Sequence, residues 1–371
     1  MSSRHSSSPA RSTVSSCHST PTRPSSREGQ RFTLGRIRVA LQDQPNPLTV
    51  VPLANTSRTF RFAVYCITFA LNLLESQKGR SGLINTGKEV WRTWQRARRG
   101  LRFQGDIHSH PELMDQAVDQ YLANLRSDPP NIIVSNRVVG EGKTERMNWN
   151  DYLDGEYSSK FGVIFRLNKT IIDNAIFAGD NQHREDFERF LLLMGLATAH
   201  ELVHTFVGFL TGNEDTNTPP RVQFPVPSTL MPNPLTGAEA GAFWEGQMLG
   251  FLVQAWENSR SRLGDRQAGD MLGLGPASRH YALGERWMRS WILLDFSAQP
   301  ERSSAPISVS GRKVMQKTDR RKALLDENDL PRALDKTPFI ERLNSFSSHL
   351  LPVSVVRDVM SMAAHPSRIR A

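Results

Sequence analysis

The sequence predicts a helix-rich α+β fold with a disordered N-terminal tail. Long segments of helical periodicity are interspersed with short β-rich stretches at 31–41, 131–139 and 161–167. The first 27 residues are rich in Ser and Arg and contain no acidic residue, which is typical of a disordered tail. We therefore expect a tail over 1–30, a main domain over 31–298, and a linker with short helices over 299–371.

Helical periodicity is strongest over Arg184–Leu210, where Phe187, Phe190, Leu191 and Met194 follow the spacing of one helix face. No charged residue occurs between positions 190 and 199, and a helix that is apolar on all sides is a buried one. Other helices are predicted over Ser57–Leu74, Gly87–Arg99 with Thr86 as N-cap, Pro111–Arg126, Thr236–Ser259 and Ala282–Phe296. Residues 260–280 are predicted to form a loop because they are rich in glycine.

The formal net charge of +9 is unevenly distributed along the 371 residues. Segments 1–30, 88–102 and 312–322 carry +3, +5 and +5, so the rest of the chain is net acidic. Such segments could contact nucleic acid or an acidic surface, and Trp91 and Trp94 between arginines could stack on bases. We favour solvated faces and flexible tails, with the tryptophans as the buried stripe of a surface helix, and do not expect nucleic acid as a partner.

Two cysteines, Cys17 and Cys66, lie far apart, which excludes a disulfide framework or a cysteine-based zinc site and favours a reducing compartment. The apolar run Phe62–Leu71 is too short to span a bilayer, and no apolar signal region follows the N-terminus. We therefore predict an intracellular protein, cytoplasmic or nuclear, without a transmembrane segment.

The motif that carries chemistry is His200-Glu201-Leu202-Val203-His204, near the end of the long apolar helix. Residues four apart lie one turn apart, so both imidazoles point the same way and can hold one Zn²⁺. The Glu201 carboxylate can reach a metal-bound water and serve as general base. Two histidines and a glutamate in a buried helix are costly without a partner, and zinc is the simplest partner.

This helix resembles the H-E-x-x-H helix of the zincin superfamily of zinc metallopeptidases. The resemblance implies a zincin-like fold, in which a mixed sheet packs on the motif helix, and a peptide or protein substrate. It also implies that the strand preceding the helix, here 161–167, lies at the edge of the sheet and can pair with an extended peptide.

A catalytic zinc usually has three protein ligands and one water. The metzincin subclass is excluded because Val207 and Leu210 replace its glycine and third histidine. The gluzincin subclass supplies a glutamate from a later helix, and Glu239 and Glu245 are the candidates. We prefer Glu239 as ligand because the small residues around it would let two helices approach closely. Glu245, which faces another direction, is then the partner of a histidine.

An oxyanion donor is also needed, and His280 and Tyr281 are the adjacent downstream pair with suitable side chains. Two other classes of function remain open. One is a non-catalytic, zincin-like zinc-binding interaction protein. The other is a basic module that binds nucleic acid or an acidic surface through residues 88–102.

Overall fold

The computed structural model describes residues 36–44, 46, 48–96, 103, 105–147, 157–212, 218–219, 221–224, 239–276, 279–301, 337–349 and 355–362. The predicted tail over 1–30, the basic segment 312–322 and most of the linker that follows residue 298 lie outside these residues. The segment 213–236 contains six prolines, and the structure describes only six of its positions.

Three short apolar strands form the centre of a five-stranded mixed sheet. They are β1 (Val39–Gln42), β3 (Ile132–Ser135) and β5 (Val163–Asn168), and they run parallel. Two antiparallel strands form the edges, β2 (Val51–Pro52) beside β1 and β4 (Gly142–Arg146) beside β5. Every residue of β3 and β5 is buried, as expected for parallel strands that are covered on both faces.

Helices cover both faces of this sheet. In chain order they are α1 (Arg58–Glu75), α2 (Gln77–Arg96), α3 (Met114–Ser127), α4 (Ser159–Gly162), α5 (Lys169–Asp180), α6 (Arg184–Thr211), α7 (Ala240–Leu249), α8 (Glu285–Ile292), α9 (Thr337–Ser345) and α10 (Val355–Met362). The main core joins α1, α5 and α6 to one face of the sheet, and α10 packs against α1 and α5. On the other face, Phe339, Ile340 and Leu343 of α9 pack against Ile133 and Ile164.

Helix α6 is the central element of the fold, and Ala199, Leu202 and Val203 around the motif are fully buried. Among the described helices it is the one that is long and apolar enough to cross a membrane, but 78% of its apolar window is buried inside the fold. That burial is typical of a core helix. A Cβ at Gly195 would lie 2.5 Å from the Phe69 ring, so this glycine lets α6 contact α1 closely.

The prediction that residues 161–167 form an edge strand is wrong. Strand β5 lies between β3 and β4, and Phe161 and Gly162 belong to the short helix α4. The edge next to it is β4, whose Gly-Lys-Thr-Glu-Arg sequence contains no apolar residue and therefore no strand pattern. Its extended conformation comes from pairing with β5 rather than from its own propensity.

Two predicted helix boundaries are also wrong. Thr86 does not cap a helix, because α2 begins at Gln77 and the Thr86 hydroxyl donates to the Gly82 carbonyl within it, 2.8 Å away. The helix predicted to extend to Ser259 ends at Leu249, where Gly250 adopts a left-handed conformation with φ of 77°.

The chain after Gly250 forms a second sheet instead of the predicted helix end and loop. It contains β6 (Leu252–Trp256), β7 (Asp270–Leu274) and β8 (His280–Ala282), which pair antiparallel in that order. The glycine-rich stretch 260–280 therefore supplies β7 and the first residue of β8. Helix α8 follows within the predicted helix Ala282–Phe296.

Candidate metal centre

Helix α6 holds the two motif histidines side by side. His200 and His204 lie one turn apart with ring centroids separated by 5.2 Å, and their side chains are 24% and 17% exposed. The neighbouring Ala199, Leu202 and Val203 are fully buried, which fixes the rotation of the helix. The imidazoles therefore face away from the core in a defined direction.

Glu239 reaches both imidazoles from the N-terminus of α7. Its carboxylate oxygens lie 2.9 Å from His200 Nε2 and 3.1 Å from His204 Nε2. As N-cap, Glu239 also accepts a hydrogen bond from the Ala242 backbone N–H. A Cβ at Gly241 would lie 2.3 Å from His200 Cδ2, so the approach of α7 to α6 depends on a residue without a side chain.

These three residues offer ligand atoms that all lie within 4.8 Å of one another, and they are the one such group among the described residues. Burial by itself would lower the pKa of His200, but Glu239 above all, with Glu245 and Glu201, raises it well above its usual value. Burial would raise the pKa of Glu239, but His204 and His200 hold it far below its usual value. Two imidazoles and an ionised carboxylate are a donor set that suits Zn²⁺.

Glu245 lies on the short helix α7, behind the His200 ring. One carboxylate oxygen lies 3.8 Å from His200 Nδ1, the nitrogen that faces away from Glu239. The other accepts a hydrogen bond of 2.5 Å from the Val253 backbone N–H. Glu245 thus connects α7 to β6 and can orient the His200 ring, which is the role expected of a partner to a metal-binding histidine.

Glu201 lines the same cavity but is not part of the three-residue group. Its Cγ would lie 3.1 Å from a Cβ at Gly142, and its backbone carbonyl accepts a hydrogen bond from the Thr144 hydroxyl. Strand β4 therefore lies directly over this turn of α6. Among the described residues, the Glu201 carboxylate has no hydrogen-bond or ion-pair partner.

The site opens into a cavity of about 280 Å³. One wall is the segment 139–142, which leads into the edge strand β4. Apolar residues from α6, α7 and the second sheet also line the cavity. They include Leu193, Leu196, Ala242, Leu252, Val253 and Leu274. The candidate metal centre thus shares one cavity with apolar side chains and with the start of the edge strand β4.

The structure brings together four of the residues singled out in the sequence, and a fifth, Glu245, behind them. It does not bring His280 or Tyr281 to the cavity, since both lie on β8 and neither is among the described residues that line it. The His280 ring instead packs edge-on against Trp256 at 5.0 Å.

The tryptophans of the basic segment contact the protein itself. Trp94 is 7% exposed and packs against Phe103, and Trp91 donates a hydrogen bond to the His108 carbonyl. Both contacts agree with a buried stripe rather than with base stacking. Arg98, Arg99 and Arg102 lie outside the described residues.

Sequence reasoning missed three features of the site, namely the edge strand β4, the apolar wall from β6 and β7, and the close packing at Gly241. Gly250 was a usable signal, because a glycine after an apolar helical run often ends the helix. Nothing in the composition of β4 predicts a strand.

Comparison of the chain with protein-family models, with curated proteins and with solved structures finds no match. We therefore infer a function from the geometry of the site.

Proposed function

We propose that the chain is a zinc-dependent metallopeptidase with a zincin-like fold. One observation carries the proposal. The Glu239 carboxylate lies about 3 Å from both His200 and His204, and Glu201 lines a cavity together with His200 and Glu239 without joining the three-residue group. The separation of three ligand candidates from one free carboxylate is the arrangement that metal-assisted hydrolysis needs.

In the proposed site, His200, His204 and Glu239 would hold the zinc ion, which would supply an activated water molecule and a Lewis acid for the substrate carbonyl. Glu201 takes a proton from the attacking water and transfers it to the leaving amine as the peptide bond breaks. Glu245 keeps the His200 ring in place.

Peptide is the substrate that the surroundings of the site support best. Strand β4 has β5 on one side, no described strand pairs with its other side, and its first residue, Gly142, lines the cavity. An extended peptide can add to such an edge through backbone hydrogen bonds. The apolar residues that line the cavity offer contacts for a side chain of that peptide.

Metal analysis and a cleavage assay test the proposal together. The purified chain is expected to carry about one zinc per molecule, and to cleave members of an unbiased peptide library in a chelator-sensitive manner. His204→Ala should lose both properties, whereas His110→Ala, at an exposed histidine that contacts Glu112, should keep both. Stoichiometric zinc in the His204→Ala protein would rule out the site.

A further inference from the structure

Arg146, the last residue of β4, lies on the same side of α6 as the two histidines. A Cβ at Gly208 would lie 2.9 Å from Arg146 Cδ and 3.2 Å from its Cγ, so the aliphatic part of the side chain rests on Gly208. Gly208 follows His204 by four residues, as His204 follows His200. The Arg146 side chain therefore lies one helical turn beyond the candidate metal centre, along the stripe that carries the ligands.

The side chain of Arg146 is partly buried, and no described residue provides a counter-ion for its guanidinium group. Its Nη1 atom is inaccessible and has no hydrogen-bond partner among the described residues, and no described carboxylate forms an ion pair with it. Burial lowers the pKa of Arg146 to about 10, which still leaves the group charged at neutral pH.

Two arginines that are more deeply buried are paired with carboxylates. Arg126 contacts both carboxylate oxygens of Glu75 at 2.6 and 2.7 Å. Arg166, on the neighbouring strand β5, contacts Glu145 at 2.5 Å. A desolvated charge without a partner is costly. Because Arg146 lies one helical turn beyond the candidate metal centre and its inaccessible Nη1 has no described partner, it indicates an anionic ligand.

We propose that Arg146 is a carboxylate-binding residue that selects peptides with an acidic group near the cleaved bond. This inference rests on the proposed function. Thr144 is level with Glu201, and two residues along a strand span about 6.6 Å. The selected group therefore belongs to a residue about two positions from the scissile bond. The planar guanidinium can hold a carboxylate through two parallel hydrogen bonds.

Matched peptides test this selection. A cleaved library peptide is prepared with Glu or Gln at each position within three residues of the scissile bond. At one position the Glu peptide is expected to show roughly tenfold to hundredfold higher kcat/KM, as a charged hydrogen bond would give. Arg146→Gln should reduce this ratio to about one by lowering kcat/KM for the Glu peptide. Arg146→Lys should retain part of the preference.

Two sources of the carboxylate are distinguished in the same assay. Peptides that end two residues after the scissile bond are compared with a free or an amidated C-terminus. If kcat/KM depends on the free terminus, the site binds the carboxylate of a chain end. If kcat/KM depends on Glu, the site binds the carboxylate of a side chain. A ratio near one for every pair in the unmodified protein, or a ratio unchanged in Arg146→Gln, would overturn the proposal.

Thermal stability gives a readout that does not depend on catalysis. Because no described residue pairs with the Arg146 guanidinium, Arg146→Met should raise the Tm of the free protein by roughly 2–4 °C. Arg166→Met is the matched control and should lower the Tm, since it removes the ion pair with Glu145. A lower Tm for Arg146→Met, or failure to fold, would show that Arg146 is structural and would refute the proposal.

If no peptide is cleaved, the metallopeptidase proposal fails by itself, and the anion site is then judged by affinity. The same Glu and Gln peptides are titrated against the unmodified protein and Arg146→Gln. Tighter binding of a Glu peptide that disappears in the variant would support the site, and equal binding would overturn it.

Discussion

Two helices supply the three candidate ligands, and the fold holds them in different ways. Helix α6 is 28 residues long and buried along most of its length, so His200 and His204 are fixed by the core itself. Helix α7 has ten residues, and Glu239 caps its N-terminus. The position of Glu239 depends on close contacts at two glycines, Gly241 against His200 and Gly246 against Phe224. Substitutions in α6 should therefore mainly lower the free energy of unfolding, whereas substitutions in α7 should mainly lower zinc affinity.

The largest effect on zinc affinity is expected from Glu239→Gln. A neutral amide is a poor zinc ligand, so the loss should exceed the roughly 10–100-fold typical of residues that only orient a ligand. Glu245→Gln should cost about tenfold, because Glu245 contacts His200 from behind. Competition with a chelator of known affinity measures both. Greater loss in Glu245→Gln would reverse the two assignments.

A smaller loss of zinc affinity than in Glu239→Gln is expected from Gly241→Ala. The new Cβ would overlap the His200 ring, so α7 must move away and carry Glu239 with it. Zinc affinity should fall by about 10–100-fold, as for other changes that displace a ligand without removing it. Gln247→Ala, at an exposed position of the same helix, is the control and should keep the original affinity. Equal affinities in the two variants would mean that α7 does not need this close approach.

The smallest effect on zinc is expected from Gly195→Ala in α6. The added methyl group meets the Phe69 ring in a close-packed core, so the free energy of unfolding should fall by about 1–3 kcal/mol. Zinc affinity of the folded variant should change by less than about threefold, because the histidines remain on the same buried helix. Denaturant unfolding and chelator competition separate these outcomes. A large loss of zinc affinity in Gly195→Ala without a loss of stability would contradict the contrast drawn between α6 and α7.

The sequence alone predicts the long buried helices better than the features that depend on long-range strand pairing. Helix α6 was predicted within one residue at its C-terminus because its apolar pattern is long and Gly212 ends it with φ of 65°. The start of helix α1 was equally predictable from the sequence, because the Ser57 side chain accepts a hydrogen bond from the Phe60 N–H. Features that depend on long-range pairing were not predictable from the sequence. Strand β4 exists only through pairing with β5, and the sheet of β6, β7 and β8 replaces a predicted helix end and loop.

The residues of the site were more predictable than their surroundings. The spacing of His200 and His204 determines that they share a helix face, and no tertiary information is needed for that. The preference for Glu239 over Glu245 is a hypothesis that rests on the small residues around Glu239, which would let two helices approach closely. Arg146 carries no local signal at all, because its position depends on how β4 crosses α6 at Gly208.

Glu201→Gln tests the central claim most directly, because it removes the proposed base while keeping the size of the side chain. Zinc content and zinc affinity should remain unchanged, since Glu201 is not in the three-residue group. Hydrolysis of a library peptide should fall by roughly 10²–10⁴-fold, the usual contribution of general base catalysis. Full activity in the zinc-loaded Glu201→Gln protein would contradict the account, because the hydrolysis would then belong to another site.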